Sequence, residues 1–455
     1  MQDHLAGIDR GKLAAFRAAE VAVFAAAHPV SRQALDAGAG AFVNRVPMHW
    51  MADWPLPFPL VVDHAKGARL TAVDGVSLDD FCLGDTGSMF GHSPGPVAKA
   101  IKAQADKGLT YMLPTQAAMQ AGALLSQVFG DFRWQIATTA TDANRFALRV
   151  ARAVTGRDKV LVFNGCYHGT VDDAMVALSG GQTVNRPGLL GQVADLTLHA
   201  VACEFNDLAG VEAALAKGDV AAILTEPVMT NSCMVLPDAG FHAGLRDLAT
   251  RYGAVLIMDE THTISSGFGG FTRVHGLRPD MFVVGKCVAG GLPTAVWGMT
   301  PAMEDRYRAA DAARASGHSG MGTTLSANPL QFAALVANLS QVMTAAHYAR
   351  MEKGAARLAK GLGRVITLRA LPWHVVRVGA RVEFICAAGP LRNGAEAGPA
   401  HKPELEAALH IGLLNRGSLI APFHNMMLIS PVTTTAQIDR LVANFDAVTR
   451  ALTEE

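Results

Sequence analysis

The 455-residue chain is 50% apolar and only 17% charged, with 39 Lys and Arg balancing 39 Asp and Glu. That length predicts more than one domain around a large core, and the even charge excludes the basic footprint of a nucleic-acid or anionic-membrane binder. Six scattered cysteines (Cys82, Cys166, Cys203, Cys233, Cys287 and Cys386) fit reduced thiols rather than a disulfide framework or a zinc site. No run of about 18 apolar residues is present, and the start Met1-Gln2-Asp3-His4 lacks a leader layout, so a cytoplasmic protein is expected.

Residues 8–37, alanine-rich with spaced arginines, predict one or two helices. The proline-rich stretch from Pro47 to Pro59 forbids regular helix and predicts an arm. Its apolar content predicts packing against another domain or subunit. Val61-Val62, Arg69 to Val73 and Ser77-Leu78 flank the turn Asp74-Gly75 and predict a small antiparallel piece. From about 95 to 300, alanine-rich helices (142–154, 207–216, 240–252) alternate with short apolar strands (159–163, 220–224, 254–258, 281–284). That alternation predicts an α/β fold with a mostly parallel sheet covered by helices. A long helix over about 330–363, strands over 375–387 and 426–430, and a helix over 434–453 complete the prediction, with a flexible excursion from Gly389 to Pro403.

Two of the strands deliver a charged side chain to their carboxyl ends. Asp259 ends Ala254-Val255-Leu256-Ile257-Met258, and Lys286 follows Met281 to Gly285, 27 residues later. Ligands bind at that edge of an open parallel sheet. An amine for a Schiff base and a carboxylate for a pyridinium nitrogen are what pyridoxal phosphate requires. Read alone, the pair also fits a surface lysine and a helix-capping aspartate. Thr138-Thr139-Ala140-Thr141-Asp142 opening a helix fits either a phosphate site or an ordinary cap. Tyr167, after strand 159–163, can stack on a planar ring or sit on a turn. Gly322 to Pro329 is a second hydroxyl-rich loop before a helix.

In that order and spacing, together with Lys66-Gly67-Ala68, Val73-Asp74-Gly75 and Gly91-His92-Ser93-Pro94, these motifs resemble the class III, fold-type-I pyridoxal-phosphate aminotransferases. The branch most similar is that of glutamate-1-semialdehyde aminomutase. The resemblance runs from about residue 42 to the C-terminus. It implies a large domain with a mostly parallel seven-stranded sheet and a smaller α+β domain built from N- and C-terminal segments. The implied boundaries are 1–90 for the arm and part of the small domain, 91–335 for the cofactor domain and 336–455 for the C-terminal small domain. It further implies pyridoxal 5′-phosphate as cofactor, Lys286 as Schiff-base lysine and proton shuttle, and Asp259 on the ring nitrogen. Ala140 and Thr141 fall on the phosphate turn, Tyr167 and Thr261 on opposite ring faces, and Thr324 on the position that reaches the phosphate of the neighbouring subunit. That last match implies a homodimer with composite active sites.

Some positions depart from the family pattern. Ala140 stands where a glycine is usual, which restricts the backbone if a positive φ is needed. Thr261 replaces a valine, and its hydroxyl is expected to bond to backbone. His262 is expected to pack against a neighbouring carbonyl, with a second titrating group as the alternative. Asn231 or a neighbour occupies the place of a gateway glutamate. His49, Trp54, Asp85, His262 and Arg381 are the candidate substrate-binding residues. Arg377 and Arg381 are carboxylate grips if they face the site, although strand arginines more often face solvent.

The function expected is a transaminase that passes an amino group from a small-molecule donor to an α-keto acid in two half-reactions. The donor is an amino acid, with β-amino and aromatic ones included. The alternative is an intramolecular aminomutase of the glutamate-1-semialdehyde type, and a racemase ranks third. No nucleic acid, membrane or metal enters this reading.

Overall fold

The computed structural model describes residues 4–38 and 40–454. Met1 to Asp3, on which the expectation about a leader rests, lie outside them. The chain divides into two compact units. One is Pro94–Tyr348 with Leu391–Gly398, and the other is Met1–Ser93 with Ala349–Pro390 and Pro399–Glu455. These divisions fall a little beyond the expected cuts after residues 90 and 335.

The larger unit is built on a seven-stranded sheet: β1 (Arg133–Ala137), β2 (Lys159–Phe163), β3 (Ala200–Cys203), β4 (Val220–Thr225), β5 (Val255–Asp259), β6 (Met281–Val284) and β7 (Ala295–Met299). The order is β3-β2-β4-β5-β6-β7-β1. Neighbours from β3 to β6 are parallel, while β7 runs antiparallel to both β6 and β1. Every residue of β4, β5, β6 and β7 is buried, which is why these strands read as unbroken apolar runs. The helix Ala140–Thr155 is capped by Thr139, whose side chain accepts from the Asp142 amide, and is stopped by Gly156 in the left-handed region.

The single helix expected over 330–363 is two helices, Pro329–Ala337 and Ala345–Leu368, separated by the wide turn Asn338–Val342. The break has a local cause. The buried Asn338 amide donates to Cys287 O (3.0 Å) and Val288 O (2.8 Å), and Thr344 Oγ1 restarts the chain by accepting from His347 N at 3.2 Å. The stretch expected to be a flexible excursion contains the helix Gly394–Ala400.

In the smaller unit, residues 8–37 form Arg10–Ala27 and Pro29–Ala37, parted at a proline that cannot extend the first helix. Val62–Lys66, Arg69–Ala72 and Ser77–Asp80 form an antiparallel sheet joined in parallel by Ser418–Leu419. The strand expected over 375–387 is a hairpin of His374–Val378 and Arg381–Ile385, because Gly379 takes φ +54 and turns the chain. Leu13, Phe81, Leu362, Phe384, Leu413 and Phe445 lie in its core. The proline-rich arm packs on its own unit. Trp54 meets His410 edge-on at 5.6 Å, and Trp50 and Trp54 line a cavity of about 610 Å³ with Leu35, Leu70, Leu414 and Leu419. Among the described residues no single helix is long and apolar enough to cross a membrane.

Candidate active site

The carboxyl ends of β5 and β6 lie side by side, with Asp259 paired to Val283. Gly285 and Lys286 follow directly. Gly285 has no Cβ for a packing reason: one added there would stand 2.9 Å from the Ala140 Cβ. The lysine's strand therefore ends against the first turn of the helix Ala140–Thr155. Lys286 itself is half-buried and adopts φ +50, a left-handed conformation that costs a non-glycine residue on the order of 1–3 kcal/mol. Such strain concentrates at functional positions.

Asp259 is buried and fully engaged. Its Oδ2 accepts from Asn144 Nδ2 (2.8 Å) and faces His168 Nδ1 (3.0 Å), while Oδ1 accepts from Thr261 N (3.1 Å). Burial alone would raise its pKa. The hydrogen bond and charge of His168, with the Thr261 and Asn144 bonds, hold it below the ordinary value. Burial likewise opposes charge on His168, but Cys166 and Asp259 push its pKa up to about 10. The result is a carboxylate kept ionised beside a protonated imidazole, with Asn144 also tied to His168 O at 3.1 Å.

Ala140 and Thr141 occupy the first two helical positions, where amides have no acceptor within the helix. Ala140 is helical, so the freedom of the usual glycine is not required. Thr141 Oγ1 accepts from Thr170 N (3.2 Å), and a Cβ on Gly169 would come within 2.2 Å of that oxygen. Gly169, at φ +80, is thus required by both space and conformation. Tyr167 stands half-exposed in the loop after β2, and Thr324 is exposed on the loop before Pro329. Ser326 ties that loop to the helix entrance through Thr138 Oγ1 at 3.1 Å.

Two expectations are corrected here. The Thr261 hydroxyl is buried and bonds to no backbone carbonyl among the described residues, while its amide donates to Asp259 Oδ1. Both ring nitrogens of His262 meet side chains instead of the expected carbonyl. Its Nδ1 meets Thr230 Oγ1 at 2.7 Å and its Nε2 contacts Lys286 Nζ.

The other substrate candidates lie in the smaller unit. His49 is exposed on a short turn, and Trp54 packs on His410. Asp85 sits in a run of left-handed residues, Leu83 to Thr86. Arg381 is 1% exposed rather than solvent-facing, and its Nη2 donates to Thr86 Oγ1 at 2.5 Å. Arg377 is the exposed one of the pair, because alternate residues of the hairpin face opposite ways.

Pyridoxal phosphate fits the residues present in the larger unit. A lysine amine, a carboxylate held ionised, a helix N-terminus and two orphaned buried atoms, Thr261 Oγ1 and Asn144 Oδ1, surround one corner of the sheet. Sequence reasoning did not single out Asn144 and His168, which hold Asp259, or Thr230, which meets His262. Asn144 lies one helical turn from Thr141, and His168 adjoins Tyr167, so both were within reach of the motifs. Thr230 carried no signal.

Residues 50–448 match the family Aminotransferase class-III. A glutamate-1-semialdehyde 2,1-aminomutase of Desulfitobacterium hafniense is 33% identical over 387 residues, covering 84% of this chain and 88% of the relative. The crystal structure of a glutamate-1-semialdehyde-aminomutase from Pseudomonas aeruginosa PAO1 is 46% identical, covers 98% of this chain and 100% of that one, and gives a TM-score of 0.96. A lysine-to-alanine variant of that protein in complex with PMP matches at 45% identity, with the same coverage and TM-score.

Proposed function

This chain belongs to the class-III aminotransferase family, with the fold-type-I architecture and pyridoxal 5′-phosphate as its cofactor, and from that premise we propose an aminomutase: an enzyme that moves an amino group between two carbons of one small molecule. The observation that carries this reading is the 46% identity, over 98% of the chain, to the Pseudomonas aeruginosa aminomutase. The intermolecular transaminase expected from the sequence uses the same side chains and is the less supported reading. We place the enzyme in the cytoplasm as a homodimer. The six buried cysteines, which form no disulfide among the described residues, favour a reducing compartment.

When bound, the cofactor supplies an electron sink for the carbanion left by proton removal. Lys286 Nζ holds the cofactor and, once released, takes the proton from the substrate carbon and returns it at the neighbouring position. Asp259 Oδ keeps a proton on the ring nitrogen, a task that needs the carboxylate ionised at neutral pH, as His168 and Asn144 hold it. The amides of Ala140 and Thr141, with the helix dipole, bind the phosphate. Tyr167 and Thr261 flank the ring, and Thr324 serves the partner's site. His49, Trp54, Asp85 and Arg381 are proposed for substrate, with Arg381 the carboxylate grip.

The test gives the purified enzyme glutamate-1-semialdehyde with no keto acid present. An amino ketone of unchanged mass is the expected product, and Lys286→Ala abolishes it. Product that appears only when an amino donor is paired with pyruvate or 2-oxoglutarate would replace the mutase with the transaminase.

A further inference from the structure

Behind Lys286 stands a line of buried polar side chains with no part in the reading above. Lys286 Nζ contacts His262 Nε2. His262 Nδ1 lies 2.7 Å from Thr230 Oγ1, and Thr230 Oγ1 donates to Glu226 Oε2 at 2.5 Å. Glu226, Thr230 and His262 are 5%, 1% and 5% exposed. Two stretches supply them: Glu226 and Thr230 both follow β4, with Thr230 beside the bridge between Met229 and Val235, and His262 is on the turn after β5.

The donors and acceptors fix the line's polarity. Thr230 Oγ1 gives its single hydroxyl proton to the bond with Glu226 Oε2. Thr230 Oγ1 must then accept from His262, so Nδ1 carries the ring hydrogen. A neutral ring in that tautomer turns the lone pair of Nε2 toward Lys286.

We propose that Glu226, Thr230 and His262 form a base relay that withdraws a proton from Lys286, with His262 as a catalytic residue and Thr230 and Glu226 as positioning residues. The proposal rests on Lys286 being the cofactor lysine. The ammonium proton moves from Nζ to His262 Nε2. The resulting imidazolium keeps its Nδ1–H donated to Thr230 Oγ1, and Thr230 goes on donating to Glu226 Oε2. The neutral Nζ retains its electron pair for the bond to the cofactor's aldehyde carbon, and water leaves.

The neighbouring titratable groups have partners of their own. Asp259 is taken up by Asn144 and His168, and Glu260 by Thr263 and the amides of Phe271 and Thr272. His242 bonds to Pro227 O at 2.7 Å, and burial pushes its pKa down to about 4, which leaves it uncharged.

The experiment mixes apoprotein with pyridoxal phosphate in a stopped-flow instrument and follows the Lys286-dependent visible band from pH 6 to 10. Thr230→Val keeps the side-chain shape and lacks the hydroxyl. At pH 7 it is expected to slow band formation about tenfold, and His262→Gln about 100-fold, a general-base effect of ordinary size. Both deficits should close toward pH ~10, where a lysine sheds its proton unaided. Thr230→Ser restores most of the rate, and thermal melts of each apoprotein check the fold. Variants that match wild type at pH 7 would overturn the relay, as would a deficit of constant ratio at every pH. Wild-type protein that forms no band at all overturns the functional reading, a result distinct from either.

Discussion

Two carboxylates adjacent in sequence open onto opposite sides of the end of β5, and the two sides treat them differently. Asp259 and Glu260 are both buried, and each receives three hydrogen-bond donors. Yet Asp259 is held below the ordinary carboxyl range, while burial drives Glu260 above it despite its bonds to Thr263, Thr272 and Phe271. The number of donors does not decide the outcome. The Asp259 side contains His168, raised to about 10 and so protonated at neutral pH, whereas the Glu260 side offers only a hydroxyl and backbone amides. A buried carboxylate stays charged when a full positive charge faces it. One side of the strand end is arranged for chemistry, and the other anchors the turn Thr263–Ser266 and the helix Gly270–Val274.

The sharpest way to break this contrast is Asp259→Asn. The amide keeps the shape and removes the charge, so turnover should fall on the order of 10²–10³-fold, the usual cost of losing a key electrostatic group. Stability should respond to pH with a definite sign. The depressed Asp259 pKa stabilises the fold above about pH 4, and the raised His168 pKa stabilises it below about pH 6.5, a contribution lost as pH rises through about 10. The difference in melting temperature between wild type and variant should therefore be largest between about pH 4 and 6.5 and shrink toward pH 10. Turnover within a few-fold of wild type would remove Asp259 from the chemistry.

Glu260→Gln should give the opposite pattern. A single amide oxygen cannot accept all three donors, and its NH₂ faces donors in turn, so the fold should lose about 1–3 kcal/mol. Activity per folded molecule should change little. Because the folded pKa of Glu260 is raised, its contribution to stability is present below the ordinary glutamate value and declines as pH rises through the folded one. Chemical denaturation across pH 4 to 8 should accordingly show the largest gap between wild type and variant at the acid end.

The sequence made legible whatever its local pattern determines. β2 and β6 occupy the predicted residues because β-branched and apolar runs bounded by turn residues have few other places to go. The Asp259–Lys286 corner was visible for the same reason: each charge ends a buried strand. β1 was not read, since Arg133-Trp134-Gln135-Ile136-Ala137 mixes polar residues with exposed positions beside the antiparallel β7. His262 was misread because its partners, Thr230 and Lys286, lie 32 and 24 residues away, and chain neighbours were the only ones visible. The partner of Arg381 was out of reach likewise, since Thr86 is 295 residues distant. Contacts of that range are made by packing and leave no periodicity to find.

Thr261→Val sharpens the comparison with the smallest expected effect. The Thr261 amide serves Asp259, while its buried hydroxyl has no partner among the described residues. Burying an unpaired hydroxyl costs roughly 1–3 kcal/mol, and valine has nearly the same shape without that penalty. The apoprotein variant should melt at a slightly higher temperature than wild type, by the equivalent of about 1 kcal/mol. With pyridoxal phosphate bound, the gain should shrink or reverse, because the proposed place of Thr261 against the ring gives its hydroxyl a polar neighbour. Melting curves of both proteins with and without cofactor check this directly. A gain of equal size in the two states would mean that the hydroxyl faces away from the ring and belongs with the structural side of the strand end, alongside Glu260.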